Sequence, residues 1–565
     1  MKLPSFLPKS STEQLDQRLH AAIGRATSSM SPTIALLSYI DWATHLAAAP
    51  GKQLELLHTA ASQTLAAPVP VAQSDWRFGD PEWQQWPYNI WCRSFLLTEQ
   101  WWQAATHGVR GVAPHHADVV GFTAQHWLAS ISPRNFPATN PQVLQRTRRE
   151  HGANLVRGMQ NMVQDLGRRL TGAADPRFDQ FMPGRDVAIT PGKVVFKNKL
   201  MELIQYSPTT DKAHPEPILI FPAWIMKYYI LDLSPQNSLI KYLVGRGHTV
   251  FCVSWKNPGH EERDLGMDDY VSFGVRAALD AVNAIVPAQK VHATGYCLGG
   301  TLLCIAAATM ARDGDDRLAS ISLLAAQSDF SEPGDLSLFI DASQVAMLEA
   351  QMADTGYLTA DQMAGAFQLL RSDYLVWSYM IDTYLMGERP PINELMAWNA
   401  DATRMPARMH SQYLRRLFLD NDLAQGRYPV NGRPVALTDV RVPIFCLGTE
   451  SDHVAPWRSV FKLHLLTSAE LTFALTSGGH NAGVVSEPGH PNRHYKCHTR
   501  AVGDPYLGPD EWLQTAAQHP GSWWPAWRDW LGRHSGAPVA HPSMGNRKRG
   551  YPVIDSAPGT YIFEK

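Results

Sequence analysis

The spacing of hydrophobic and polar positions divides the chain into two regions. Residues 1–190 carry apolar residues at helical spacing, for example in Thr33–Ala49 and Pro141–Leu170, and contain few strand-like runs. From about Val194 onward, short apolar runs bounded by glycine, proline or polar residues alternate with helical segments. This alternation is typical of a mostly parallel sheet covered by helices on both faces. The sequence therefore predicts a helical N-terminal domain, residues 1–190, and an α/β domain, residues 191–565.

The predicted strands are short, and a long helical segment separates two groups of them. Val194–Tyr206 is β-rich, with a turn at 197–199 between two antiparallel strands. The other predicted strands are Pro217–Phe221, Thr249–Ser254, Val291–Thr294, Ile321–Ala325, Pro443–Leu447 and Leu471–Leu475. Between about residues 330 and 440 the alternation stops, and helical patterns cover Asp335–Asp354, Thr359–Leu385 and Met405–Asp420. Such an insertion is either a helical lid over an active site or a helical layer with no gating role.

Composition excludes several classes of protein. With 565 residues, 45% of them hydrophobic and 18% charged, the chain can bury a large core and is not disordered as a whole. A net charge of −2 gives no general electrostatic reason to bind nucleic acid. No apolar run reaches the roughly 18 residues of a transmembrane segment, and the polar stretch Met1–His20 predicts no secretory signal. The six cysteines are scattered without a Cys-x-x-Cys pair, which favours a reducing cytoplasm over a disulfide framework.

The strongest chemical motif is Gly295-Tyr-Cys297-Leu-Gly299, which follows a predicted strand and precedes the helix-forming Thr301–Arg312. A Gly-x-nucleophile-x-Gly sequence forms a sharp strand-to-helix turn, where bulky neighbours would collide with the adjacent strand and helix. The turn places the nucleophile at a helix N-terminus, where the dipole and free N–H groups favour a thiolate. The backbone N–H of Leu298 would face a developing oxyanion. If only these five residues are considered, the alternative interpretation is that Cys297 is a buried structural cysteine.

Two downstream loops supply an acid and a base. In α/β-hydrolase folds the triad follows in the order nucleophile, acid, base. One predicted strand leads to Asp452, and the next leads to His480 in a glycine-rich loop. Both residues follow the carboxyl ends of parallel strands, the edge where α/β sheets bind ligands. Glu450 is a competing acid, but Asp452 before Val-Ala-Pro fits the loop better. We therefore predict an α/β-hydrolase fold for the α/β domain, with a triad of Cys297, Asp452 and His480.

A second oxyanion donor is expected from the loop after the first core strand. Pro217–Phe221 runs into Pro222-Ala-Trp-Ile-Met-Lys-Tyr-Tyr229, the position of the oxyanion loop in this fold. An N–H near Trp224 or Ile225 is the candidate, and we assign it to Ile225. The alternative is that these aromatic residues only wall the pocket.

These motifs resemble the polyhydroxyalkanoate (poly-3-hydroxybutyrate) synthases, the intracellular polyester polymerases of bacteria, and most closely the single-polypeptide, class I type. The similarity runs from about residue 75 to the end. Two positions depart from the family pattern: Met226 stands where Asn is common, and Asn481 follows His480 where an apolar residue is usual. Besides the cysteine motif, the family-like stretches are Met182–Gly192, Lys199–Pro208, Pro222–Leu233, Ser254–Pro258, Asp452–Trp457, Gly479–Val485 and the tryptophan-rich Gly521–Leu531.

The resemblance implies an acyltransferase that polymerises (R)-3-hydroxyacyl-coenzyme A onto a growing polyester chain and releases coenzyme A through a cysteine acyl-enzyme. A thioester exchanges acyl groups readily with a thiolate, so a cysteine nucleophile suits this substrate. His480 would deprotonate Cys297, and Asp452 would either orient His480 or, as proposed for the family, assist deprotonation of the attacking 3-hydroxyl. No cofactor or metal is expected apart from the coenzyme A of the substrate. The resemblance also implies a homodimer, a cytoplasmic location at the surface of polymer granules, and granule-associated proteins as partners.

Two rival functions remain open at the level of the sequence. A thiol-dependent hydrolase or polyester depolymerase could use the same triad with water as acceptor, and a non-catalytic granule-coat protein could retain it unused.

Two further signals have competing explanations. His490, His494 and His498 would align for zinc on a helix, but Pro488 and Pro491 favour a solvated loop. Six tryptophans between residues 76 and 102 could contact a granule or partner, or could pack the helical domain onto the catalytic one.

Overall fold

The computed structural model describes residues 11–27, 30–65, 75–370 and 372–565. Helices occupy both the N-terminal region and the spaces between strands. The α-helices are α1 (Ser11–Ala26), α2 (Pro32–Ala47), α3 (Pro50–Leu65), α4 (Tyr88–Thr106), α5 (Pro114–Ser130), α6 (Pro141–Arg149), α7 (Ala153–Thr171), α8 (Leu239–Val244), α9 (Met267–Asp269), α10 (Ala277–Ile285), α11 (Leu298–Asp313), α12 (Ala342–Thr355), α13 (Ala360–Leu370), α14 (Glu394–Ala400), α15 (Ala407–Tyr413), α16 (Trp457–Phe461), α17 (Leu463–Leu466), α18 (Pro509–Thr515) and α19 (Trp524–Arg533).

Within the described residues, the strands begin only after residue 190. They are β1 (Gly192–Lys197), β2 (Met201–Tyr206), β3 (Ile218–Phe221), β4 (Val250–Trp255), β5 (Val291–Tyr296), β6 (Leu318–Leu324), β7 (Tyr357–Leu358), β8 (Met405–Pro406), β9 (Tyr428–Val430), β10 (Arg433–Val435), β11 (Ile444–Thr449), β12 (Leu471–Thr476), β13 (His494–Arg500), β14 (Ala517–Pro520) and β15 (Asp555–Ser556). The core strands predicted from the apolar runs are all present.

Eleven strands form one mixed sheet in the order β14-β13-β12-β11-β6-β5-β3-β4-β2-β1-β15. The six central strands, β12 to β4 in that order, are parallel. The outer strands β1, β2, β13, β14 and β15 pair antiparallel. Because the carboxyl ends of the parallel strands share one edge, the loops after β3, β5, β11 and β12 meet there.

Side chains alternate between two apolar layers along the central strands. In β3, Leu219 and Phe221 face one core, while Ile218 and Ile220 face the other. This alternation follows from the two-residue period of a strand, and burial of both faces explains the continuous apolar runs in the sequence. Helix α11 packs on β5 and is buried at every residue from Leu298 to Met310, as its apolar composition all round requires.

The described chain forms two compact units. One consists of Met1–Arg25, Phe178–Met363 and Asn393–Lys565 and contains the sheet. The other consists of Ala26–Arg177 and Ala364–Ile392 and contains α2 to α7. Residues 364–392, part of the predicted lid, therefore fold with the N-terminal helices, whereas Phe178 to residue 190 folds with the sheet. The lid function of the insertion remains a prediction.

Three local expectations were wrong in detail. The predicted helix Pro141–Leu170 is two helices, because the backbone at His151 and Gly152 has φ of +50° and +85° and ends α6 before α7 begins. Within Thr359–Leu385, α13 ends at Leu370 and two π-helical turns follow, and Met405–Pro406 is a short strand rather than a helix start. His494–Arg500 is strand β13, not a loop, because it pairs with β12 along its length. No helix in the described ranges has the length and apolar character needed to cross a membrane.

Candidate active site

Cys297 lies at a strained turn between β5 and α11. Its backbone has φ +53° and ψ −125°, a conformation that non-glycine residues rarely adopt. The neighbouring glycines make the turn feasible. A Cβ at Gly295 would lie 2.4 Å from the Cα of Gly300, and one at Gly299 would lie 2.0 Å from the carbonyl oxygen of Phe221. The glycines predicted to be needed for close approach are therefore needed in the structure.

The turn gives the cysteine a polar, partly accessible setting. Cys297 is the N-cap of the 16-residue helix α11 and is half-buried. The first-turn N–H groups of a helix, here beginning with Leu298, have no partner within the helix and attract negative charge. In contrast, burial raises the pKa of Cys304 to about 12 and that of Cys497 to about 11. Cys252 and Cys446 are completely buried, as their positions in strands predicted.

Asp452, in the loop after β11, is held as a carboxylate. Its Oδ1 accepts the backbone N–H groups of Val454 and Ala455 at 2.9 and 2.8 Å, and its Oδ2 accepts the Thr449 hydroxyl at 2.9 Å. Burial acts to raise the pKa of Asp452, but the positive charge of His480 and these hydrogen bonds hold it below its usual value. The competing acid, Glu450, instead contacts His494 at 3.2 Å. The structure therefore brings Asp452, not Glu450, to the base.

His480, in the loop after β12, connects the acid to the thiol. Its Nδ1 lies 2.8 Å from Oδ2 of Asp452, and the thiol of Cys297 is close enough to interact electrostatically with the ring. Burial acts to lower the pKa of His480, but the charges of Asp452 and Cys297 and the hydrogen bond to Asp452 raise it well above its usual value. The three residues predicted from separate parts of the sequence thus lie together, with Asp452 hydrogen-bonded to His480 and the Cys297 thiol beside the imidazole.

Tryptophans of the C-terminal helix hold the loop that carries His480. Trp523 donates its indole N–H to the carbonyl of Gly483 at 3.1 Å, and Trp524 donates to Val484 at 2.9 Å. Both rings are buried. The sequence singled out this tryptophan-rich stretch only as a family likeness. Its position behind the loop that carries His480 (the base loop, residues 477–485) depends on tertiary packing across the sheet, which no local pattern reveals.

The loop after β3 lies beside the first turn of α11. The Trp255 indole N–H donates to the Pro222 carbonyl at 2.8 Å. Thr403 donates its hydroxyl to the Trp224 carbonyl at 2.6 Å and its N–H to the Ile225 carbonyl at 3.1 Å. The loop is therefore fixed from both sides. The role of the Ile225 N–H as second oxyanion donor stays a prediction.

Tyr413 is a site residue that sequence reasoning missed. It ends α15, in the insertion, and packs against Phe330 and Phe418 with ring centroids 6.2 and 5.3 Å away. Burial, together with the charge of nearby Cys297, raises the pKa of its hydroxyl well above the usual value. An aromatic residue inside a helical insertion carries no distinguishing sequence signal. Its proximity to the thiol follows only from how the insertion folds back on the sheet.

The remaining candidate signals lie elsewhere. Among the described residues, no group of three or more His, Cys, Asp or Glu side chains is arranged to hold a metal ion, the histidines of β13 included. The tryptophans of residues 76–102 fall into three sets, one of which is Trp101 and Trp102, both half-buried. Trp83 is completely buried within a helical core with Phe78 and Phe95, while Trp76, Trp86 and Trp91 are exposed.

Comparison with known proteins gives concordant matches along the chain. Residues 74–243 match a family model described as the N-terminus of poly-beta-hydroxybutyrate polymerase (PhaC), and residues 10–52 match a second N-terminal model of the same polymerases. Residues 216–486 match the alpha/beta hydrolase fold model. With the parallel central sheet and the nucleophile turn, the last match confirms the predicted α/β-hydrolase fold.

Curated relatives match over most of their length. The chain is 41% identical over 507 residues to a poly(3-hydroxyalkanoate) polymerase of Methylorubrum extorquens, covering 88% of this chain and 82% of the relative. It is 39% identical to the poly(3-hydroxyalkanoate) polymerase subunit PhaC of Rhizobium etli, covering 88% and 78%. It is 36% identical to the subunit PhaC of Cupriavidus necator, covering 87% and 83%.

Proposed function

Because the chain belongs to the poly(3-hydroxyalkanoate) polymerase family, we propose that it polymerises (R)-3-hydroxyacyl groups from coenzyme A thioesters through an acyl-enzyme on Cys297. The observation that carries this proposal is the hydrogen bond from Asp452 to His480, together with the position of His480 beside a cysteine on a nucleophile turn. A thiol in this position suits exchange with a thioester, because the acyl group moves between two sulfurs of similar leaving ability.

The first step is acyl transfer to the enzyme. His480 takes the proton of Cys297, and the thiolate attacks the thioester carbonyl carbon. The N–H groups of Leu298 and Ile225 stabilise the oxyanion that forms. When the intermediate collapses, the carbon–sulfur bond to coenzyme A breaks and the departing sulfur takes the proton from His480. The products of the step are free coenzyme A and a 3-hydroxyacyl thioester on Cys297.

The second step lengthens the chain. The 3-hydroxyl of one acyl group attacks the thioester carbonyl of another, which forms an ester bond and releases a thiol. A base must take the hydroxyl proton and return it to the departing sulfur. The Asp452 side chain is fully buried, and both of its oxygens already accept hydrogen bonds. These contacts favour an orienting role for Asp452 and leave His480 as the base in both steps.

Association with polymer granules is the second part of the proposal. The unit formed by Ala26–Arg177 and Ala364–Ile392 exposes Trp86 and Trp91 on its surface. It also exposes an apolar stripe on α7 with three- and four-residue spacing. The stripe consists of Val156, Met159, Val163, Leu166 and Leu170. An exposed apolar helix face of this kind suits adsorption to an apolar surface. We also propose that the protein forms a homodimer, as the resemblance to the family implies.

One assay separates polymerisation from the rival functions. Purified protein is given 3-hydroxybutyryl-coenzyme A, and thiol release and insoluble product are measured together. The proposal expects both to appear at matching rates, and neither in Cys297→Ala. Thiol release with free 3-hydroxybutyrate and no polymer would identify a hydrolase. Absence of both in the wild-type protein would support the granule-coat alternative.

A further inference from the structure

A tyrosine and an asparagine connect the nucleophile turn to the base loop. Tyr296 immediately precedes Cys297, and Asn481 immediately follows His480. The Tyr296 hydroxyl donates a hydrogen bond to Oδ1 of Asn481 at 2.6 Å. The residues that flank the two reacting side chains are therefore joined directly, side chain to side chain, across two strands of the sheet.

Tyr296 also contacts the imidazole itself. Its ring lies nearly parallel to that of His480, with centroids 5.8 Å apart and planes inclined by 29°. The tyrosine is buried, and burial raises the pKa of its hydroxyl well above the usual value. The hydroxyl therefore remains a donor throughout the neutral range, and Asn481 is the acceptor it meets.

Asn481 begins the turn that shapes the base loop. Its carbonyl accepts the N–H groups of Val484 and Val485, both at 3.0 Å, and Gly483 donates to Gly479 at 2.8 Å. The far end of this turn is held by the indole N–H groups of Trp523 and Trp524. The side chain of Asn481 attaches the near end of the turn to β5, the strand that carries the nucleophile.

We infer that Tyr296 and Asn481 are positioning residues, which hold the His480 imidazole in line between the Asp452 carboxylate and the Cys297 thiol. The inference rests on the proposed function only in treating His480 as the base that activates Cys297. Asp452 fixes one ring nitrogen, but a single hydrogen bond allows the ring to swing about it. The stacked Tyr296 ring and the Asn481 anchor remove that freedom.

We expect the single variants of Tyr296 and Asn481 to be impaired to different extents. Asn481→Leu leaves the buried Tyr296 hydroxyl without an acceptor, which is costly in a buried site. Tyr296→Phe leaves the half-buried Asn481 amide, which solvent can reach, and keeps the stacked ring. The double variant has neither polar group and places two apolar side chains in contact. Asn481→Leu should therefore be the most impaired, and adding Tyr296→Phe should restore part of the loss.

The first test measures alkylation of Cys297 by iodoacetamide across a range of pH, followed on the Cys297 peptide by mass spectrometry. Asn481→Leu should slow alkylation near neutral pH by about tenfold and shift the pH profile, since a displaced imidazole activates the thiol less well. Tyr296→Phe should show a smaller effect in the same direction. Tyr379→Phe, which removes a hydroxyl bonded to Asp165 at 2.9 Å, serves as the matched control and should match wild type.

The second measurement follows polymer formation in the same variants. Turnover should fall in the same rank order as alkylation, while KM for 3-hydroxybutyryl-coenzyme A should not change, because both residues are inferred to position His480 and not to bind substrate. Thermal unfolding of each variant establishes that it is folded. Equal profiles for Asn481→Leu and wild type, or a double variant worse than Asn481→Leu, would overturn the inference. If His480→Gln leaves wild-type alkylation unchanged, the base assignment itself fails, which distinguishes failure of the proposed function from failure of the positioning role.

Discussion

At the scale of single residues, opposing electrostatic effects decide the properties of the site. Burial alone would neutralise both Asp452 and His480, since a low dielectric disfavours charge. Their mutual contact and the hydrogen bonds around them reverse this, so the pKa of Asp452 falls and that of His480 rises. Asp452 is therefore a carboxylate, and His480 retains a proton more strongly than a free imidazole.

The orienting role proposed for Asp452 predicts a large kinetic effect from a nearly isosteric change. Asp452→Asn keeps the shape but presents an amide that can donate a hydrogen bond to His480, which favours the wrong tautomer. Turnover in polymer synthesis should fall by about 100-fold or more, with little change in KM. Glu450→Gln is the control, because that carboxylate pairs with His494. Equal losses in the two variants would contradict the assignment.

The pKa shifts of Asp452 and His480 predict how the stability of the protein depends on pH. The pKa of Asp452 is lowered, so its contribution is complete above about pH 4, its usual value, and is lost as pH falls through the folded-state pKa. The pKa of His480 is raised, so its contribution is complete below about pH 6.5 and is lost as pH rises through the folded-state pKa. Asp452→Asn should thus lower the free energy of unfolding most between these values, by on the order of 2 kcal/mol. Urea unfolding of both proteins at several pH values measures this; a difference that is constant with pH would refute it.

At the scale of elements, the turn from β5 into α11 depends on backbones that nearly touch. Gly299→Ala would place its Cβ 2.0 Å from the Phe221 carbonyl, and neither backbone can move without shifting β3 or α11. We expect a loss of about 3 kcal/mol or more in stability and loss of polymer synthesis. Gly167→Ala, in α7 with open space around it, should be neutral or stabilising by up to about 1 kcal/mol. Thermal unfolding distinguishes the two, and similar melting temperatures would contradict the steric argument.

A further prediction concerns helix α19, whose Trp524 holds the loop that carries His480. Trp524→Phe keeps an aromatic ring in the core but removes the N–H that binds the Val484 carbonyl in the base loop. Turnover should fall about three- to tenfold, as expected for one buried hydrogen bond. Trp527→Phe loses a comparable hydrogen bond to Ser322 in β6, away from the loop that carries His480. This variant should be less stable than wild type, but its turnover per folded molecule should be unchanged. The opposite ranking in activity would show that α19 does not position His480.

At the scale of the whole molecule, the unit formed by Ala26–Arg177 and Ala364–Ile392 is proposed to contact the polymer. Replacing Leu166 and Leu170 of α7 with serine should reduce adsorption of the protein to amorphous poly-3-hydroxybutyrate granules severalfold, because both side chains are exposed and apolar. Val502→Ser, an equally exposed apolar position in the other unit, is the control. Co-sedimentation with granules measures bound protein, and unchanged binding of the Leu166→Ser/Leu170→Ser variant would exclude this surface.

The whole architecture also shows which features the sequence can and cannot predict. Cys297, Asp452 and His480 were predictable because each directly follows an apolar strand, and parallel strands bring such positions to one edge. Thr403, Tyr413 and the Tyr296–Asn481 contact were not, because they join residues from distant segments through packing. The edge strands β13 to β15 were missed as well, since their half-exposed or exposed polar residues lack the continuous apolar pattern of the core.

The central claim is that Cys297 carries the growing acyl chain. Its most direct test is mass spectrometry of the protein quenched within the first turnovers with 3-hydroxybutyryl-coenzyme A, followed by peptide mapping of the bound acyl group. We expect a 3-hydroxybutyryl thioester on Cys297, absent from Cys297→Ala and slow to form in His480→Gln. An acyl group on another residue, or polymer formed by Cys297→Ala, would contradict it.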